Sequence, residues 1–147
     1  MEVNQIKERD VAAPGGVYRF GNGLNGNEYL TRGWGEPEKG FVWSEGKAGV
    51  VTLPGVPGRC SLAISLWGYV PAGSPAQEVL IFVNGKLKTF RVVHEKTIIG
   101  IEDVSSGAED MEIQFYIPQA VSPKQAERTN DARVLGVALV AIVAEQI

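Results

Sequence analysis

The stretch RGWGEPEKGFVWSEG, residues 32 to 46, holds two tryptophans and three glutamates among four glycines and a proline. Indole offers a broad apolar face and one N–H donor, and carboxylates accept hydrogen bonds. Sugar rings ask for that mixture, because their C–H faces stack on aromatic rings while their hydroxyls seek polar side chains. Trp34, Trp43, Glu36 and Glu38 are therefore candidate ligand-contacting residues. Asn130, Asp131 and Arg133, just ahead of the last apolar run, add polar groups of the same kind. Tyr18, Tyr29, Phe41, Trp67 and Tyr69 also fall in the first half of the chain. A sandwich core wants buried tryptophan too, so packing competes with binding for Trp34 and Trp43. Trp67 follows three inward-facing positions and reads as a core or rim residue.

Other chemistry is thinly supplied. The one histidine, His94, reads as a strand-end surface residue, and a single His rules out a His-cluster metal site. Cys60 has no partner for a disulfide and reads as a buried or strand-edge thiol. Asp103, Glu109, Asp110 and Asp131 lie near expected loops and leave an all-oxygen calcium site open, although their spacing is not that of an EF-hand; no cofactor is expected. Glu36 and Glu38 point the same way in extended chain, about 6–7 Å apart. A glycosidase needs two carboxylates about 5–10 Å apart facing each other across the sugar, which one strand does not supply. Gly21-Asn-Gly-Leu-Asn-Gly26 is not the phosphate fingerprint, since no helical stripe and no P-loop lysine follow. It reads as a flexible loop beside the Trp stretch.

These groups need a scaffold. The 147 residues suit one domain with its own core, and 44% hydrophobic content is that of a globular chain. A net charge of −3 without a basic block argues against a nucleic-acid partner. The polar start MEVNQIKERD is not a signal peptide. The longest apolar run, Val134 to Ala144, is about half a membrane span. Localisation stays open: synthesis in the cytoplasm, with display on a particle or cell surface by a route the sequence does not show.

Helical periodicity is nearly absent, and 18 glycines and 8 prolines cut the chain into short pieces. Lys47–Leu53, Cys60–Trp67, Ile98–Glu102 and Asp110–Ile117 read as strands. In the second of these, Leu62, Ile64 and Leu66 face a core opposite Ser61, Ala63 and Ser65. Glu78–Val83 and Lys86–Val93 flank Asn84-Gly85, the signature of a type I′ hairpin turn. Arg133–Ala144 is apolar on both faces, so it belongs in the middle of a sheet. Gln119–Asn130 has room for a helical turn or two. The expectation is an all-β antiparallel β-sandwich, jelly-roll-like, over residues 17–147, with residues 1–16 as an extended lead-in or tether.

A family resemblance rests on these same residues. Gly33-Trp34, Pro37-Glu38, Gly40, Trp43, Gly46 and Ala48 resemble the GW..PE..G.W..G..A stretch of β-sandwich modules associated with bacterial surface-polysaccharide glycosyltransferases and related envelope proteins. Glu38 and Gly40 stand one residue closer here than in that pattern. Val79-Leu-Ile-Phe-Val-Asn84-Gly85 is similar to the V.V.VNG hairpin of those modules. Pro118, Ala120, Ser122-Pro123, Asp131, Arg133, Leu135-Gly136 and Leu139 are similar to their P.A.SP......D.R.LG..L ending. The likeness covers about residues 18 to 145. It implies a carbohydrate-associated sandwich with no catalytic centre of its own, the enzyme residing in a separate domain.

A stand-alone copy then fits a glycan-binding accessory protein, or a receptor-binding decoration of a phage-like particle that meets bacterial polysaccharide. Self-association or a larger protein assembly is the competing expectation, with the tryptophans buried and a sheet edge or apolar patch exposed. A small hydrolase or lyase is the third. Within the resemblance, Glu38, Asp131 and Arg133 read either as a buried ion-pair network tying the Trp loop to the last strand or as direct sugar contacts.

Overall fold

A computed structural model of the chain describes residues 15–105 and 109–147. Ten strands are present among them: β1 (Gly15–Arg19), β2 (Leu30–Arg32), β3 (Val42–Glu45), β4 (Ala48–Leu53), β5 (Arg59–Gly68), β6 (Gln77–Val83), β7 (Lys86–Val93), β8 (Thr97–Ser105), β9 (Met111–Tyr116) and β10 (Leu135–Gln146). A 3₁₀ turn covers Asn25–Tyr29, and one short helix, α1, covers Pro123–Glu127. β1 starts within the expected lead-in, whose first 14 residues lie outside the described ones.

Two antiparallel sheets divide the strands. The first runs β1-β10-β5-β8, with β3 sharing the β1 edge of β10; the second runs β2-β4-β9-β6-β7. Their inner faces meet in one core. Leu62, Ile64, Leu66, Ile99, Leu139 and Ile142 come from the first sheet, and Val51, Leu53, Val79, Ile81, Ile113 and Phe115 from the second. The period-2 alternation of β5 and β9 makes this possible, since every second side chain reaches the same face.

The hairpin turn is as expected. Asn84 and Gly85 take φ of 47° and 83°, the two positive values a type I′ turn requires. β10 is central, pairing with β1 and β3 on one edge and β5 on the other. Its first five residues are buried on both faces. Where β3 and β10 slip register between Leu135 and Ala138, the buried Ser44 Oγ accepts the Val137 N–H at 2.9 Å. The hydroxyl thus satisfies a backbone donor beside the bulge. Ser122 caps α1, accepting the Gln125 N–H at 3.1 Å, and Pro123 supplies the fixed φ of its first turn.

Three short strands, β1 to β3, interrupt regions expected to be loop or lead-in. The glycine loop 21–26 is also held rather than free. Asn25 Oδ1 accepts the Arg19 N–H and its Nδ2 donates to the Val17 carbonyl, extending the edge of β1. Asn27 brackets Gly21 in the same way, and the Asn22 N–H donates to the Glu38 carbonyl at 2.7 Å.

Candidate functional site

Strand alternation decides which tryptophan faces where. In β3, Val42 and Ser44 are buried and Trp43 and Glu45 point outward. In β5, Trp67 continues the outward set of Ser61, Ala63 and Ser65. The register places Trp43, Ala138 and Trp67 side by side on β3, β10 and β5. Ala138 is small enough for both indoles to lean over it. It is fully buried on the outer side of the sheet, where they roof it. Their ring centres stand 6.2 Å apart at 80°.

Phe41, just before β3, meets Trp43 at 5.6 Å and Trp67 at 4.8 Å. Tyr69, just after β5, meets Trp43 at 5.9 Å, edge to face. Four half-buried rings therefore form one cluster on the solvent side of the first sheet; Phe41 is tilted against Trp67, and the other contacts have the edge-on geometry that ring quadrupoles favour.

Polar groups border the rings. The Tyr69 hydroxyl donates to Glu127 Oε2 at the end of α1. Desolvation first, then this bond and the charges of Glu127 and Asp131, push the phenol up to about 12. Arg133 holds Asp131 through Nε at 2.9 Å and Nη2 at 2.7 Å, and reaches Glu38 Oε2 through Nη1 at 3.4 Å. Hydrogen bonds from the Arg133 side chain and backbone hold the Asp131 carboxyl at about 2. The same contacts push the guanidinium upward. The loops carrying these groups are tied down: Lys124 N–H donates to the Asp131 carbonyl, Gly46 N–H to the Val134 carbonyl, and Glu38 N–H to the Phe41 carbonyl.

The Glu38–Arg133–Asp131 network thus exists, but it is not the buried one considered from sequence. The Arg133 side chain is 42% exposed and that of Glu38 40%. Desolvation therefore costs it little, and water screens it.

Trp34 faces the other way. It bridges Ser44, an inward residue, and so is itself turned inward. Its ring meets Phe115 edge to face at 5.7 Å, and its Nε1 donates to the Val50 carbonyl at 2.9 Å. Gly33, at φ 85°, and Gly49 admit it; a Cβ on Gly49 would sit 2.8 Å from the indole. Trp34 is half-buried, packed against the core and apart from the outer ring cluster. Glu36 and Asn130 are exposed on the two loops that flank the cluster.

Sequence reasoning brought Glu38, Trp43, Asp131 and Arg133 to one region. It named Phe41, Trp67 and Tyr69 only within the aromatic group of the first half, and it missed Glu127. For Trp67 the signal was in hand, because the parity that turns Ser65 outward turns Trp67 outward too. Glu127 carried none, because its place depends on how the 119–134 connection folds back.

Elsewhere, His94 is exposed at the end of β7. Cys60 is buried, which pushes its thiol up. Asp103 pairs with Arg59 at 2.6 Å. Among the described residues, no three His, Cys, Asp or Glu side chains gather as metal ligands. No helix among them is long and apolar enough to cross a membrane.

No protein-family model matches the chain, and no curated protein matches it in sequence. Solved structures do match it in shape. The CBM36-1 domain of a multidomain xylanase from the hindgut metagenome of Trinervitermes trinervoides superposes with a TM-score of 0.54 at 11% identity, over 90% of this chain and 98% of that one. The C-terminal CBM6 of LamC, a marine laminarinase from Zobellia galactanivorans, gives 0.51 at 11% identity, over 90% and 99%. The acetyl xylan esterase Est2A from the rumen bacterium Butyrivibrio proteoclasticus gives 0.55 at 10% identity, over 90% of this chain and 34% of that longer one. At these identities the likeness is one of fold, and the chain is an antiparallel jelly-roll-type β-sandwich, the architecture of such modules.

Proposed function

We propose that this chain is a non-catalytic glycan-binding module whose site is the outer ring cluster of the first sheet. One observation carries the reading: Phe41, Trp43, Trp67 and Tyr69 stand together on a solvent face, half-exposed, beside Glu38, Glu127, Asp131 and Arg133. A sandwich core does not need these rings, because they lie outside it. Stacked sugar faces suit the indoles, the carboxylates accept from hydroxyls, and Arg133 donates. The fold shared with carbohydrate-binding modules adds support. Binding at one such site is weak, and repeated copies supply strength.

The narrower form of the proposal names bacterial surface polysaccharide as the ligand, met by the chain as an accessory or as a decoration of a phage-like particle. Its support is the motif resemblance over residues 18–145.

A second reading, docking into a larger assembly, has its own observation. The outer face of the second sheet and its edge strand β7 expose Tyr116, Leu87, Phe90 and Val92. A glycan array with capsule and lipopolysaccharide preparations, run with Trp43→Ala and Trp67→Ala variants that remain folded, separates the two. Saturable binding lost in both variants supports the glycan site. Absence of binding to every glycan, with a concentration-dependent oligomer that the β7 variant Phe90→Lys dissolves, supports assembly.

A further inference from the structure

A groove of about 340 Å³ opens between the β5–β6 loop and the segment leading into α1. That size is within the range of small-ligand sites. Pro71 and Pro75 form one wall, Val121 and Ala126 the other, and Ser74 and Gln119 stand among them. Gln77, the first residue of β6, also lines the groove and is 3% exposed. Its Nε2 donates to the Tyr69 carbonyl at 2.7 Å. A carbonyl only accepts, so the amide cannot be turned over, and Oε1 is fixed as the atom facing away from Tyr69. Oε1 is buried and has no hydrogen-bond partner.

Most of the lining offers it nothing: the side chains of Pro71, Pro75, Val121 and Ala126 carry no donor. Pro71 and Pro75 carry no N–H. The nearby backbone donors are engaged: Ser74 with Pro71, Val121 with Leu135 and Ala126 with Ser122. A buried acceptor without a donor is costly, and native structures rarely keep one without a reason. A partner for Oε1 has to be a donor, and one entering through this groove comes in beside apolar walls.

We infer that this groove receives the acetamido group of an N-acetylated sugar, its N–H donating to Gln77 Oε1 and its methyl packing among Pro71, Pro75, Val121 and Ala126. A plain hydroxyl would bring a donor but leave the apolar walls unfilled. The groove also adjoins the ring cluster. Gln77 is bonded to the carbonyl of Tyr69, and Ala126 precedes Glu127, which takes the Tyr69 hydroxyl. One glycan chain can stack on the rings and place a neighbouring N-acetyl sugar in the groove. The inference rests on the glycan-binding reading and narrows its ligand class.

The test is an NMR titration of the intact protein with triacetylchitotriose and, separately, with cellotriose. It follows the side-chain amide of Gln77 and the indole N–H signals of Trp43 and Trp67. The expected result is that triacetylchitotriose moves both sets and cellotriose moves at most the indoles. Gln77→Leu should weaken triacetylchitotriose about tenfold, the loss of one buried hydrogen bond. Ala126→Leu, which narrows the groove from its α1 side, should weaken the same ligand if Gln77→Leu does not fold.

If both sugars move the indoles and neither moves Gln77, the inference is overturned and the glycan-binding reading stands. If triacetylchitotriose moves Gln77 alone, the groove assignment stands and the ring cluster loses its role. Equal shifts of Gln77 by both sugars overturn the acetamido assignment, and silence everywhere overturns both.

Discussion

Trp34 and Trp43 are nine positions apart in one glycine-rich stretch, and both make edge-to-face ring contacts. Trp34 does so against Phe115, with its indole N–H bonded to the Val50 carbonyl. Trp43 does so against Phe41, Trp67 and Tyr69 on the solvent side. Residue type and ring geometry are shared, and only the side of the sheet differs. A ring packed against the core contributes to stability through the area it removes from water. A ring held at the surface by other rings keeps part of its face for something else. The comparison teaches that aromatic content alone does not mark a site; the parity of the strand that carries the ring does.

The inner region should be the more fragile. Gly33→Ala is the harshest change, because a Cβ there meets the Ala48 carbonyl oxygen and the left-handed φ disfavours any side chain. Loss of soluble, cooperatively folding protein is expected. Trp34→Ala should cost about 3 kcal/mol in denaturant unfolding. Trp34→Phe, which keeps much of the packing but not the bond to Val50, should cost about 1 kcal/mol.

Trp43→Ala and Trp67→Ala should each cost about 1–2 kcal/mol, mostly through lost ring contacts, while removing glycan binding. If Trp43→Ala destabilises as much as Trp34→Ala and binding survives in the folded fraction, the two regions do not differ as described.

Acidity and alkalinity sharpen the contrast with smaller effects, through Asp131 and Tyr69 of the outer region. Tyr69 is raised from 10.0 to about 12 when folded. Its contribution is fully present below about pH 10 and is lost as the pH rises through about 12. Burial also pushes Tyr18 and Tyr29 up, so the Tyr69 signal in phenolate absorbance is the late titration that Glu127→Gln brings earlier. Asp131 is lowered from 3.8 to about 2. Its contribution is present above about pH 4 and lost as the pH falls through about 2. Glycan binding measured across that window should fall along with the Arg133 contact, with little change in the unfolding of the core. Added salt should weaken the contact at any pH, because it is exposed.

Much of the fold was legible because long strands carry their own evidence. β5, β9 and the β6–β7 hairpin show period-2 alternation or an Asn-Gly turn over enough residues to be read. β2 and β3 have three and four residues, too few for a period to emerge. β1 is completed by side chains, Asn25 above all, whose reach across the loop no local pattern announces. At the candidate site, Trp43, Glu38, Asp131 and Arg133 were readable from type and order. Tyr69 and Glu127 were not, because 58 positions separate them and only the path of the 119–134 segment joins them. The Gln77 groove was equally hidden: a glutamine at a strand start is ordinary until its Oε1 proves buried and unbonded.

The position of β10 has a consequence for how the molecule is made. It is the last strand along the chain, yet β1, β3 and β5 all pair with it. All five strands of the second sheet leave the ribosome before it does. The nascent chain therefore passes through a stage in which Val51, Ile81, Ile113 and Phe115 await the cover of an unfinished partner, a surface for chaperones to shield. Trp43 and Trp67 come together only when Ala138 arrives between their strands. The ring cluster is thus assembled last, and a chain stalled before β10 carries both tryptophans without the surface they form.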